Sequence, residues 1–251
     1  MDKYTYFWCL IIIAMAIFFI GSYKNMVKKI AYVLALNKTE KEFPSEKKTK
    51  ATNFTNSKTI LNEAILQLRI KDRSFFLWLR HFLIFLGFMI LLPLDVIFAL
   101  TNKYYPVEYF YKGIGHGYLK LGFEVAGAIL LTGLTLGLIH RIIFAEEEKN
   151  YIDLKLLFLL WLVVVTGFLT EAFRLIIEPD DPYKHFSFIG WPLAGYLKNF
   201  SASWDKFHFI LWITHATLSA FFFAYLPFSK FVHVVMSPLG RSVTMPQGYV
   251  K

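Results

Sequence analysis

Five stretches of the chain are apolar over the length of a membrane crossing, at roughly 5–22, 75–100, 121–144, 153–177 and 207–229. A helix rises 1.5 Å per residue, so about 20 apolar residues cover the hydrocarbon core of a bilayer. Five such runs give five spans, and the fold class follows as an all-α membrane protein with five transmembrane helices. Composition agrees. Charged residues make up 18% of the 251, against about a quarter in soluble domains, and Phe alone supplies 27. A disordered chain, a disulfide-stapled secreted domain and an ordinary cytosolic enzyme are excluded. The first run does not read as a cleaved leader. Asp2 and Lys3 cancel where a positive region is needed, and no small-residue cleavage site precedes Tyr23.

The net charge of +9 follows topology rather than nucleic acid. Twelve Lys and Arg lie between Tyr23 and Ser74, flanked by two apolar runs. Basic loops beside membrane spans stay in the cytoplasm. That places the N-terminus outside and the C-terminus inside, with 19 Lys and Arg on the inner segments and their edges and 8 on the outer ones. The expected organisation is a first helix over 1–22, a basic cytoplasmic loop over 23–74, a helical bundle over 75–238 and a cytoplasmic tail over 239–251. The expected location is the inner (cytoplasmic) membrane, with the lipid bilayer as a partner and no nucleic acid. Within the basic loop, Ile60, Leu61, Ala64, Ile65 and Leu68 recur at helical spacing. This predicts a short helix on the membrane surface or docked to a partner.

Cys9 is the only cysteine, so this chain holds neither an internal disulfide nor an iron–sulfur cluster by itself. No C-x-x-C-H is present, which excludes covalent c-type haem. There is no P-loop, H-E-x-x-H or G-x-S-x-G. The chemistry must then come from polar groups inside the spans, where ionisable residues are expensive and functional by default. Of seven histidines, His81, His140, His208 and His215 fall within or at the ends of spans; His116 and His233 lie just beyond span ends. His215 and His233 are 18 residues apart, five helical turns, so a continuous helix would aim both at one groove about 27 Å apart. Pro227 interrupts that helix and shortens the distance. Two stacked b-type haems need such a pair, each with a second axial ligand from another helix. His81, about 12 Å into the second span, is the obvious one, and Gly87 nearby would admit a flat macrocycle.

The stretch from Leu211 to Pro238, with H-x(17)-H and Pro-Phe-Ser-Lys-x-x-His, resembles the membrane cytochrome b (gamma) subunit of respiratory nitrate reductase. Within that superfamily the chain is most similar to the branch from heterodisulfide reductase and sulfite-reduction complexes, through "WLRHFLIFLGF" and "TGFLTEAFRL". The resemblance implies helices 2–5 as a haem-binding four-helix bundle holding one or two haem b groups. It pairs His81 with His233 on the inner haem. It assigns His215 to the outer haem, whose family ligand ten residues after His81 is here Leu91. His116 is the substitute with roughly the right depth, so the haem-iron ligand set is His81, His233, His215 and, in place of the missing family ligand, His116.

A membrane cytochrome exchanges electrons with a lipid-soluble carrier, and such a site needs a proton donor or acceptor. Glu171 and Arg174, three apart near the outer end of span 4, are a structural ion pair or a quinone-linked proton relay. Asp95 is a weaker candidate, and His185 and Trp191 would cover such a site. The expected function is a b-type cytochrome subunit passing electrons between a membrane quinone and a cytoplasmic iron–sulfur partner subunit, an electron-transfer part of an oxidoreductase rather than a complete enzyme. The rivals are a haem-free membrane anchor and, less favoured, a proton-coupled transporter. Transporters often carry internal repeats, and none is found here.

Overall fold

The computed structural model describes residues 3–42, 68–71, 74–101, 108–111, 113–143, 151–200 and 203–229. Among them the secondary structure is entirely helical. The long helices are α1 (Lys3–Glu42), α2 (Phe75–Ala99), α3 (Ile114–Ile143), α4 (Tyr151–Ile177) and α6 (Trp204–Tyr225), with a short α5 (Gly190–Leu197) between the last two. Each long helix contains an apolar segment able to cross a membrane: Thr5–Asn25, Phe75–Ala99, Ile114–Ile143, Leu154–Ile177 and Trp204–Phe228. The protein is a multi-pass, all-α membrane protein.

Two helix ends differ from the sequence expectation for physical reasons. Helix α1 continues to Glu42, well past the expected end at 22. Residues 23–42 contain neither Gly nor Pro and are rich in Ala, Leu, Lys and Glu, so nothing stops the helix before Pro44. Helix α3 starts at Ile114 rather than 121, which puts His116 inside the helix; its backbone N–H bonds the Gly113 carbonyl at 3.0 Å. The amphipathic stretch from Ile60 lies outside the described residues except Leu68, which opens a single helical turn, Leu68–Lys71.

The helices pack in the order α2, α3, α4, α6, α1, with α5 against α4. One apolar core joins four of them: Ile84 and Phe88 of α2, Leu130 and Leu134 of α3, Leu156, Leu160 and Val164 of α4, and Phe222 of α6. Helices α2 and α6 do not abut along their lengths but meet where the rings of Phe88 and Phe222 approach edge to face at 6.0 Å. Helix α1 runs parallel to α6. Tyr6 hydroxyl bonds Thr217 Oγ1 at 3.0 Å, Phe18 stacks on Phe223 at 4.5 Å, and Asn25 donates to the Pro227 carbonyl.

The tightest seam is between α2 and α3. A Cβ on Gly87 would lie 2.7 Å from the backbone nitrogen of Leu130, and one on Gly133 would lie 2.8 Å from that of Ile84. The pairs 84–133 and 87–130 are those of two antiparallel helices in backbone contact. Gly87 therefore serves helix packing, as small residues do in membranes. Its expected role in admitting a macrocycle is corrected: the space is filled by Leu130.

Candidate functional site

Helix α6 is built from large apolar residues with His215 near its middle, and it lies against α4. The His215 ring is half-buried there. Its Nδ1 is 3.0 Å from the Val163 carbonyl and 3.1 Å from Thr166 Oγ1. The carbonyl only accepts. The Thr166 hydroxyl hydrogen has acceptors in its own helix, the Leu162 carbonyl at 2.8 Å and that of Val163 at 3.0 Å. Both partners therefore put the ring hydrogen on Nδ1. Nε2 is then a bare lone pair, with no hydrogen bond among the described residues. An imidazole whose Nδ1–H is tied to a carbonyl is the usual form of a metal-ligating histidine. The donor chemistry of His215 fits an axial haem ligand.

His81 stands on the exposed side of α2. It is seven residues before Phe88, and His215 is seven before Phe222, so each is about two turns from the ring contact that joins their helices. The helices are antiparallel, which sets the two histidines on opposite sides of that contact. His233 lies outside the described residues. The helix carrying His215 ends at Tyr225 and tightens into a 3₁₀ turn, Leu226–Phe228, at Pro227. The five-turn phase relation between His215 and His233 is therefore not carried by a continuous helix. Leu91 packs against the bundle core.

The end of the bundle marked by Ile114, Ile177 and Trp204 carries a charged cap. Arg174 forks onto Glu171, with Nε and Nη2 each 2.8 Å from a carboxylate oxygen. It also reaches Glu178 at 2.6 Å and Asp181 at 2.9 Å. Ser187, fully buried, donates to Glu171 at 2.8 Å. Asp181 accepts from Lys120 on α3 as well. Burial opposes ionisation of Asp181, but the bonds from Lys120, the Tyr183 N–H and Arg174 outweigh it and hold the carboxyl at about 2. The loop after α4 is thus tied to two helices by charge-assisted bonds.

His116 sits beside this cap. Its ring lies 6.5 Å from that of Phe98 on α2, and its buried Nδ1 has no hydrogen-bond partner among the described residues. With Arg174, Ile177 and Tyr183 it lines an open cleft of about 550 Å³. No contact joins His116 to His215 among the described residues. Asp95 is on the exposed side of α2. His185 meets Trp191 edge to face at 4.3 Å at the start of α5.

Glu124 escaped the sequence reading. It is 3% exposed on α3, and its carboxylate accepts from the N–H of Ile189 at 2.7 Å and of Gly190 at 3.2 Å, the N-terminus of α5. A Cβ on Gly190 would crowd Glu171 Cγ at 3.0 Å and Glu124 Oε1 at 3.1 Å, so an added methyl would press both carboxylate side chains aside by a few tenths of an ångström. The signal available was Lys120 and Glu124 four apart inside an apolar run, two ionisable groups on one helix face. Charge-assisted hydrogen bonds contribute about 1.5–3 kcal/mol each. Glu124→Ala should accordingly speed amide exchange across residues 187–197, and Glu124→Gln, which keeps one acceptor oxygen, should do so less. Unchanged exchange in both would refute the anchoring role.

The sequence model of the family described as nitrate reductase gamma subunit matches residues 112–251. The chain is 29% identical over 189 residues to a subunit of the dihydromethanophenazine:CoB–CoM heterodisulfide reductase of Methanosarcina acetivorans, covering 72% of this chain and 63% of the relative. The same subunit of the Methanosarcina mazei reductase is 29% identical over 209 residues, covering 76% of this chain and 70% of the relative. That of Methanosarcina barkeri is 28% identical over 192, covering 72% and 63%. The chain thus spans less than two thirds of the length of most of these relatives. No solved structure matches the chain.

Proposed function

The chain belongs to the nitrate reductase gamma subunit family, and on that premise we propose that it is a b-type cytochrome, the membrane subunit of a larger redox complex. It passes electrons between a membrane quinone, or a similar lipid-soluble carrier, and a cytoplasmic iron–sulfur partner subunit. The name of the heterodisulfide reductase relatives, which joins a reduced carrier to a reductase, supports that coupling. The observation that carries the reading is His215, a membrane imidazole whose Nδ1–H is fixed by the Val163 carbonyl and whose Nε2 is left bare.

In this account haem b supplies the one-electron chemistry, and the protein supplies ligands, orientation and dryness. His215 would hold the haem at its level of the bundle; His116, two residues from the capped end of α3 where His215 is eleven from that end of α6, does not share that level and is not placed to grip the same iron. His81 and His233 hold a haem at the other level. Phe88, Phe222, Leu160 and Val164 exclude water between the levels. The charged cap faces outward, and the basic segment from Lys24 to Arg73, with the tail after His233, faces the cytoplasmic partner. Glu171 handles the carrier's proton from behind Arg174, which lines the cleft. It is free to do so only when the Arg174 fork releases it, and Glu178 and Asp181 then keep Arg174 neutralised.

The pairing is tested by substitution in the purified full chain. His81→Ala and His233→Ala should each abolish the same component of the reduced-minus-oxidised spectrum. Depletion of two different components by these substitutions would contradict the pairing.

A further inference from the structure

We propose that the Thr166 hydroxyl, together with the gap left by Gly167, positions the His215 imidazole and sets the reduction potential of the iron it ligates. The inference rests on the cytochrome reading above. Thr166 touches the ring and not the iron, so it is a positioning residue.

Threonines inside membrane helices commonly bond back to a carbonyl one turn earlier. Thr132, Thr170, Thr214 and Thr217 do so here, to Ala128, Thr166, Ile210 and Ile213. Thr166 makes that bond too, but among these five it alone also lies against a histidine nitrogen. Its hydrogen is used within α4, so its oxygen presents a lone pair to Nδ1. The Nδ1–H is thereby shared between two acceptors, the Val163 carbonyl and Thr166 Oγ1, the latter on a side chain only 9% exposed. No bulk water stands by to replace either.

Acceptors on Nδ1–H push electron density into the ring and make Nε2 a stronger donor. A stronger axial donor favours ferric iron and lowers the potential; outer-sphere hydrogen bonding is one of the protein's levers on it. Removing one acceptor should raise the potential without removing the ligand. Gly167 sets the ring's place from the other side. A Cβ there would lie 3.2 Å from Cε1, 3.7 Å from Nδ1 and 3.9 Å from Nε2. Any side chain displaces the ring by a few tenths of an ångström, directly beside the ligating nitrogen.

The test uses the full chain in mild detergent, with haem supplied during expression. The His215 component is identified in a potentiometric titration as the one missing from His215→Ala. Thr166→Val should keep the haem and move the midpoint of that component upward, leaving any second component in place, and Thr166→Ser should restore it. Gly167→Ala should keep the haem and shift the low-spin ferric electron paramagnetic resonance signal as the ring turns. Loss of this haem in Thr166→Val with retention in Thr166→Ser would also support the assignment, since the hydroxyl is what separates the two. An unmoved midpoint in Thr166→Val, an equal shift of every component, or the same shift in Thr166→Ser would overturn the inference while leaving the cytochrome intact. A colourless wild-type protein would overturn the cytochrome reading beneath it.

Discussion

His215→Ala is expected to remove one b-type haem from the protein completely and to leave the helices assembled. The ring spans from α6 to α4, where its Nδ1 rests on Val163 and Thr166. Truncation deletes the ligand but disturbs little else, because Thr166 keeps its bond to Leu162 and Val163 keeps its place in α4. The helices remain joined through Phe173 with Trp204 and Phe207. Pyridine haemochrome content per chain should fall by one haem, while the detergent-solubilised protein elutes as the wild type does. A purely structural histidine in this position would give the opposite pattern: unchanged colour and a modest loss of stability. The proposed ligand sets add a further demand. The haem lost here must differ from the one lost in His81→Ala.

The second large effect concerns the α2–α3 seam. Gly87→Leu or Gly133→Leu should prevent these helices from closing. The atoms that an added Cβ meets include backbone atoms of Leu130 and Ile84, which cannot swing aside as a side chain can. Even Gly87→Ala is an overpacking change of the kind that costs about 1–3 kcal/mol, and leucine adds three more carbons to the same space. Van der Waals packing rather than water exclusion holds helices together in lipid, so lost contact along the seam has little to replace it. Thermal unfolding in detergent should show a lowered Tm for alanine and aggregated or unfolded protein for leucine at either position. Leucine variants that melt like the wild type would show that the seam is not in backbone contact.

How much of this was legible in the sequence divides along physical lines. The five spans were, because hydrocarbon thickness fixes a minimum apolar length and the chain meets it five times. The family was also legible, from the residues around His215 and Pro227. The extent of α1 was not, since lysine and glutamate mark a loop for topology yet are good helix formers. Gly87 was misassigned because a small residue beside a ligand and a small residue in a helix seam look alike until the facing helix is known. Glu171 and Arg174 were found as a pair from their spacing, but Asp181, Lys120 and Ser187 reach them from other elements, across distances no local pattern encodes. Thr166 and Gly167 open the segment "TGFLTEAFRL", yet their part depends on which α6 residue they meet.

The most direct test of the account is the dithionite-reduced optical spectrum of the isolated full chain, extracted in mild detergent after expression with porphyrin supplied. A b-type α-band is expected, diminished by one haem in His215→Ala and restored in no variant lacking that imidazole. A preparation that is folded, monodisperse and without visible absorbance would contradict it and leave a haem-free membrane anchor in its place.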